Sequence, residues 1–261
     1  MQIQIAFFLN LALGLLLAIP PIHNQTKTAS SGDVSDQINK TVTLAPGSNV
    51  RVNIVSGDID IETWDSDRGE INIAVKASDA AAMERHPIII ENTPNSLTIR
   101  ADDDNKEGRR RERERGWVSH DVRLKLPKSI NLTVSSVNGK IDVGAITGEV
   151  TGSSVNGGIV IAQAGTATQL SSVNGSISIS LLRMGESGLR VSTVNGGVKI
   201  GLPSETNAEI DFRSVNGSVD SDLPITRIGE VKQNELRGRI GDGGPQIKIS
   251  SVNGGVTLRR N

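Results

Sequence analysis

Few residues of this 261-residue sequence are of the types that carry out chemistry. It contains no cysteine, which excludes disulfides, thiol chemistry and lipoprotein attachment. Its three histidines are His23, His86 and His120, and no two have a metal-binding spacing such as H-x-x-x-H. We interpret them as structural or exposed. The sequence therefore predicts no catalytic residue and no cofactor.

The best candidate for a metal site is a set of acids at alternate positions, Asp58, Asp60 and Glu62. Carboxylates on one strand face could bind calcium, but a solvated strand face is the commoner arrangement, and we favour it. The Gly241–Gly244 segment lacks the glycine-rich nonapeptide of calcium-binding β-rolls and is typical of a turn. We therefore predict no metal site.

The composition argues against several classes of protein. The formal net charge is −1, which gives no reason to expect nucleic acid or an anionic membrane as a partner. Enzymes that act on polysaccharides need clustered charged side chains and usually aromatic side chains that stack on sugars. After Trp117 the only aromatic residue is Phe212. We predict that the protein is not an enzyme and keep a polysaccharide-active enzyme as the least favoured alternative.

The tetrapeptide Ser/Thr-Val-Asn-Gly occurs six times, which is more typical of a scaffold than of one site. Its asparagines are 18, 18, 21, 21 and 37 residues apart, and a period near 20 indicates stacked structural repeats. The motif residues are Val137, Asn138, Gly139, Val155, Asn156, Gly157, Val173, Asn174, Gly175, Val194, Asn195, Gly196, Val215, Asn216, Gly217, Val252, Asn253 and Gly254.

Three further segments keep the underlying pattern of aliphatic-x-Gly-x-aliphatic. The long gap before the last motif predicts a degenerate copy at Leu236–Ile240. The pattern also occurs upstream at Val55–Ile59, and between two obvious copies at Ile146–Val150. The early repeats therefore indicate two half-coils of about nine residues each.

The register of the motif separates two folds. Asn-Gly between apolar runs is a strong hairpin signal, but hairpins here would expose one aliphatic in every repeat. A strand running through the step would place Val137, Gly139, Ile141 and Val143 inside and Asn138 outside. The same register would bury Val155, Ile159, Ile161, Val173, Ile177, Ile179, Val194, Val198 and Ile200.

This register favours an all-β, parallel β-solenoid with coils of roughly 18–21 residues, preceded by an N-terminal β-strand region. An antiparallel meander or sandwich is the alternative. We expect the asparagines of successive coils to form a hydrogen-bonded ladder and each glycine to lie where a side chain has no room. The serine before each valine could satisfy backbone groups at the corners.

The sequence divides into four regions. An apolar run within 1–24 predicts a signal peptide or an uncleaved N-terminal anchor, and only an uncleaved anchor would associate the protein with a membrane. Residues 25–39 form a predicted linker. Residues 40–130 form an N-terminal β region with a charged loop at 102–116 and one short helix near 78–85. Residues 131–261 form the solenoid.

Several segments outside the tetrapeptides resemble a known family. Val55–Ile61, Ile71–Val75 and the run from Val122 to Val134 resemble the bacterial adhesin-like β-strand-repeat family, domain of unknown function 4097. The resemblance covers residues 40–261. It implies an exported or envelope-associated protein of stacked β-strands, and it supplies no catalytic residues to transfer.

We therefore interpret the chain as an exported, non-enzymatic repeat protein of the bacterial envelope, located in the periplasm, the outer envelope or outside the cell. It would act as a structural or adhesin-like module whose partner is an envelope or cell-surface component. A self-assembling envelope scaffold is the alternative. The chain ends within its last motif, and an open final coil would leave strand groups for self-association unless Arg259 and Arg260 blunt that edge.

Overall fold

The computed structural model describes residues 33–101, 116–229 and 234–261. The predicted signal peptide or anchor, the first part of the predicted linker and all of the charged loop except Gly116 lie outside these residues. No helix within the described residues is long and apolar enough to cross a membrane.

The described residues form nineteen strands and one helix. The helix, α1 (Ala80–Arg85), lies within the segment predicted to be helical, and the Asp79 side chain caps it by accepting from the Ala82 N–H at 2.7 Å. The strands are β1 (Val34–Thr43), β2 (Asn49–Ser56), β3 (Ile59–Trp64), β4 (Arg68–Ala77), β5 (Ile88–Thr93), β6 (Ser96–Ala101), β7 (Val118–Pro127), β8 (Asn131–Asn138), β9 (Ile141–Asn156), β10 (Ile159–Asn174), β11 (Ile177–Leu181), β12 (Leu189–Asn195), β13 (Val198–Leu202), β14 (Ala208–Asn216), β15 (Val219–Ser221), β16 (Ile225–Arg227), β17 (Glu235–Ile240), β18 (Gln246–Asn253) and β19 (Val256–Arg260).

The chain winds into stacked coils, as the sequence predicts. The motif strands pair in parallel with the strands one coil away, so that Asn138 lies beside Asn156 and Asn156 beside Asn174. Each coil has two sides that meet at the Asn-Gly corner. We call the side that precedes this corner side one and the side that follows it side two. The parallel β-solenoid is confirmed, and the meander is wrong because hairpins would make these pairs antiparallel.

The N-terminal strands continue the same stack. Strands β2 and β3 form a coil around the predicted upstream copy of the pattern, and Ser56 lies beside Asn138 in parallel register. Strands β6 and β5 extend side one, while β7, β4 and β1 extend side two. Strand β1 begins at Val34, so residues 34–39, predicted as linker, belong to a strand.

The last two coils are exchanged relative to their order in the sequence. Strand β18 pairs with both β12 and β14, and β19 pairs with both β13 and β15. The C-terminal motif therefore lies inside the stack, and β14–β15 forms its end. The prediction that the C-terminal motif is an open final coil is wrong. Arg259 instead donates from Nη2 to Asp220 Oδ2 at 2.6 Å, across to that end coil.

The degenerate copy predicted at Leu236–Ile240 is not a coil. It forms β17, which pairs antiparallel with β14 and β16 and covers the edge of side one. Its alternating inward residues, Leu236, Gly238 and Ile240, are buried as predicted. The prediction is wrong about the direction of this strand. Alternation of apolar and polar residues determines which side chains face the core, but it is the same in parallel and antiparallel strands.

Close approach of successive coils explains the motif glycines. A Cβ atom on Gly157 would overlap the carbonyl oxygen of Gly139 one coil away, and Gly139 stands in the same relation to Gly57. The predicted lack of room is confirmed, but the obstacle is the neighbouring backbone. Gly148 lies at a second corner of the coil, where a Cβ atom would overlap the Ile130 carbonyl oxygen. A second corner is what the predicted division of each early repeat into two half-coils requires.

Two adjacent glycines test this constraint. A Cβ atom on Gly196 would overlap the carbonyl oxygen of Gly175, whereas on Gly197 its nearest neighbour is the Gly255 oxygen at 3.7 Å. We expect Gly196→Ala to lower the free energy of unfolding by about 1–3 kcal/mol or more, because two backbones must separate. Gly197→Ala should cost much less. Urea unfolding measures both, and equal losses would contradict the stacking constraint.

One histidine is enclosed where α1 packs on the stack. His120 in β7 is 3% exposed, and its Nε2 lies 3.2 Å from the His86 carbonyl oxygen. Burial lowers the pKa of His120 below its usual 6.5, and the contact with the His86 carbonyl offsets this only in part. The folded state therefore favours the neutral ring.

This shift predicts a loss of stability in mild acid. As the pH falls below about 6.5, the unfolded chain protonates His120 before the folded chain does, so the free energy of unfolding decreases. We expect His120→Gln to flatten this dependence between about pH 7 and pH 5 and His86→Asn to leave most of it. Urea unfolding at several pH values provides the measurement. Parallel curves for wild type and His120→Gln would show that His120 is not the group responsible.

Candidate functional site

The corner of each motif has one residue inside and two outside. Ser136 is buried, while Val137 and Asn138 are exposed, and the strand ends before Gly139. The register predicted for Val137, Val155, Val173 and Val194 is therefore wrong, since all four are exposed. Leu132, Val134 and Ser136 follow one alternation, and the corner resets the phase before Ile141. The predicted burial of Ile141, Val143 and their counterparts is confirmed.

The inward residues form a column of buried hydroxyl groups. Three donate to glycine carbonyl oxygens: Ser172 to Gly157 at 3.1 Å, Thr193 to Gly175 at 3.5 Å and Ser251 to Gly254 at 3.2 Å. The predicted role of this residue at the corners therefore holds at three of the six motifs. The Oγ atoms of Ser136, Ser154 and Ser214 are buried without a partner among the described residues.

The outward asparagines form the predicted ladder. From Asn156 onwards, each Nδ2 donates to the Oδ1 of the asparagine one coil nearer the N-terminal end of the stack, and all five distances are 2.8–2.9 Å. All the bonds point the same way along the solenoid axis. The order of the rungs, from the N-terminal end of the stack, is Asn138, Asn156, Asn174, Asn195, Asn253 and Asn216.

Two columns missed by the sequence interpretation lie beside the ladder on side one. Ser135, Ser153, Ser171, Ser192 and Ser250 stack in register on the outer face, with Arg213 at one end. A parallel column contains Arg51, Thr133, Thr151, Gln169, Arg190 and Lys248. These residues could have been found from the sequence, because they alternate with the buried residues of the same strands and so must face outwards.

We call this outer surface of side one the serine face. It consists of the two polar columns, the exposed valines and the asparagine ladder. The valines have exposed fractions of 38–65%. In stack order they are Val55, Val137, Val155, Val173, Val194, Val252 and Val215. Neighbouring strands are about 4.8 Å apart, so the serine face repeats the same groups at that interval.

Two shallow clefts lie along the serine face and share Thr151. One has a volume of about 400 Å³ and is lined by Arg51, Thr133 and Glu149 among others. The other, of about 250 Å³, is lined by Gln169, Arg190 and Lys248 among others. Arg190 and Lys248 lie side by side, and neither forms an ion pair with a described residue. On its other side Lys248 lies beside Asp211 of the end coil, whose carboxylate pairs with Arg213 and Arg237.

The other candidates from the sequence are placed away from these clefts. Asp60 lies beside Arg123 and Glu62 beside Lys125 in register, while Asp58 accepts from the Lys140 N–H at 2.7 Å. No group of three or more His, Asp or Glu residues within the described part of the chain could hold a metal ion. The Gly241–Gly244 segment is a turn between β17 and β18, as predicted.

Comparison with known proteins finds a family match for part of this chain. Residues 153–259, less than half of the sequence, match the family model Toastrack DUF4097. The family resemblance stated from the sequence is thereby confirmed, and the Toastrack segment contains most of the serine face. No curated protein matches the chain.

Three solved structures are similar to the chain at low identity. A proposed cell adhesion protein from Clostridium sporogenes is 12% identical, with a TM-score of 0.43, over 87% of this chain and 100% of that one. A proposed adhesin from Bacteroides fragilis is 13% identical, with a TM-score of 0.38, over 87% and 97%. A proposed lipid-binding protein from Parabacteroides distasonis is 10% identical, with a TM-score of 0.28, over 86% and 96%.

The hydroxyl column offers a test of the corrected register. Ser154→Ala removes a buried oxygen that has no partner, so we expect the free energy of unfolding to stay unchanged or to rise by up to about 1 kcal/mol. Ser172→Ala, one coil away, removes the bond to Gly157 and should cost about 0.5–1.5 kcal/mol. Urea unfolding of the two variants is the measurement. A larger loss for Ser154→Ala would contradict the assignment of these hydroxyl groups.

Proposed function

We propose that this protein is an exported, non-enzymatic, adhesin-like module that binds a component of the bacterial envelope or cell surface through the serine face. One observation carries the proposal. Five serines, a column of threonine, glutamine and basic side chains, and a ladder of six asparagines lie in register along successive coils of one exposed surface.

A surface that repeats along one axis favours a ligand that repeats along one axis. Each rung of the serine face presents hydroxyl and amide groups, which both donate and accept hydrogen bonds. The exposed valine on the same rung adds an apolar contact. Arg190 and Lys248 add positive charge near one end, beside Asp211 of the end coil. These features together favour a linear polymer that carries hydroxyl and acidic groups, such as an envelope polysaccharide.

The chemistry of the serine face supports binding rather than catalysis. A serine hydroxyl is a weak nucleophile unless a base activates it. The histidines of the described residues are His86, at the end of α1, and His120, buried in β7. Neither contributes to the serine face, so its hydroxyl groups have no imidazole partner within the described chain.

The proposed location outside the cytoplasm rests on the N-terminal sequence. Residues 5–22 are almost wholly apolar and a polar stretch follows, as in a secretory signal peptide or an N-terminal anchor.

Binding to isolated envelope tests the proposal with a matched pair of double variants. Ser153→Glu with Ser171→Glu places two long acidic side chains on neighbouring rungs of the serine face. Val160→Glu with Ser178→Glu does the same on the outer face of side two. We expect the purified wild-type protein and the side-two variant to co-sediment with bacterial envelope and the serine-face variant to lose about tenfold or more in affinity, since the added side chains occupy the contact surface.

Circular dichroism and urea unfolding would establish that both double variants remain folded. Equal binding by the two variants would show that the ligand does not contact the serine face. Failure of the wild-type protein to bind any envelope fraction would contradict the adhesin-like function itself.

A further inference from the structure

One Asn-Gly step lacks the backbone hydrogen bond that holds the other five. In five motifs the glycine N–H donates to the asparagine carbonyl oxygen of the next coil, at 2.9–3.1 Å. The last step in the stack is Asn216-Gly217, and no further coil of the described residues covers it. The Gly217 N–H has no hydrogen-bond partner among the described residues. Its nitrogen is therefore the one motif amide that the stack leaves open.

The same corner lacks two further restraints. The Ser214 hydroxyl is buried without a partner, as are those of Ser136 and Ser154, whereas Ser172 of the control motif at Asn174 bonds to the Gly157 carbonyl. Asn216 donates from Nδ2 to Asn253, but within the described chain its Oδ1 accepts from no further rung. Val215 is 65% exposed, against 38–41% for the other motif valines. The terminal corner is thus less restrained and more open to water.

An open Asn-Gly step has a defined chemistry. The backbone nitrogen of the glycine attacks the asparagine side-chain carbonyl carbon, Cγ. A new C–N bond forms, the nitrogen loses its proton, and the side-chain nitrogen leaves as ammonia. Water then opens the resulting five-membered succinimide at either carbonyl and yields aspartate or isoaspartate. The sum is hydrolysis of an amide, with no change of oxidation state.

We propose that Asn216 is a site of spontaneous deamidation and that the stack protects the other five asparagines from it. Attack requires the glycine nitrogen to rotate towards Cγ and to leave any hydrogen bond that its N–H makes. In the inner motifs this movement breaks a bond between coils, so the reaction waits for local opening of the stack. At Gly217 no such bond has to break.

The product alters the end of the solenoid. An aspartate at this position has no Nδ2 donor, so the last ladder bond, to Asn253 Oδ1, is lost. The new carboxylate places a negative charge on the exposed last rung. Isoaspartate also lengthens the main chain within the corner, where Gly217 already lies against the Gly254 carbonyl oxygen. Deamidation therefore loosens the terminal coil as the protein ages.

The chain contains its own matched control. Asn174 and Asn216 lie in the identical sequence Ser-Val-Asn-Gly-Ser, so their intrinsic reactivity is the same and only their place in the stack differs. The folded full chain is incubated in neutral to mildly basic buffer, digested quickly at acidic pH, and mapped by mass spectrometry. We expect Asn216 to deamidate about tenfold or more faster than Asn174, because only Asn174 needs local opening. In denaturant the two rates should converge.

Two outcomes would overturn the proposal. One is equal deamidation of Asn174 and Asn216 in the folded chain. The other is a deamidation rate of the folded chain that is unchanged by Asn216→Gln, whose longer side chain would have to close a larger and slower-forming ring. A lower urea midpoint for Asn216→Asp than for Asn216→Gln would support the predicted effect of the new charge, and the reverse order would contradict it.

Discussion

The contact between successive glycine corners is the constraint on which this structure depends. At each corner the backbone of one coil lies where the Cβ atom of its neighbour would be, so only glycine allows the strands on both sides to reach hydrogen-bonding distance. A single coil buries too few aliphatic side chains to offset the entropy of ordering about 18 residues. The coils therefore stabilise one another, and the corner that lets them stack must recur.

Each residue of the tetrapeptide answers a different requirement of that corner. Asparagine suits an inner rung of the ladder because its amide donates to one neighbour and accepts from the other, which a carboxylate cannot do. The preceding serine or threonine points inward, where its hydroxyl can bond to a glycine carbonyl. Valine makes no contact that the corner requires, because its side chain faces solvent. Its recurrence in every motif is therefore explained by the outer surface and not by the packing of the coils.

The sequence predicts the class of fold and the ladder because both depend on local spacing. It misleads on Val137 because the prediction assumes one continuous strand from Val137 to Ile141. The strand stops at the corner between them, and the alternation of inward and outward residues starts again after it. The phase was available within β8, in which Leu132 and Val134 place Ser136 inside. The exchange of the last two coils was not predictable from the motifs, because six nearly identical corners fit one another in any order.

Residues outside the motifs fix the order of the last coils. Asn261 donates from Nδ2 to the Leu181 carbonyl at 2.6 Å and accepts from Ser180 Oγ at 2.9 Å, two coils towards the N-terminal end. On the opposite edge, Arg259 pairs with Asp220, and the Arg260 N–H donates to Asp222. The chain end thus bonds on both sides of its own coil. The shared motif allows the last strand to pair at any position in the stack. The contacts of Asn261, Arg259 and Arg260, which no other coil repeats, determine the position that it takes.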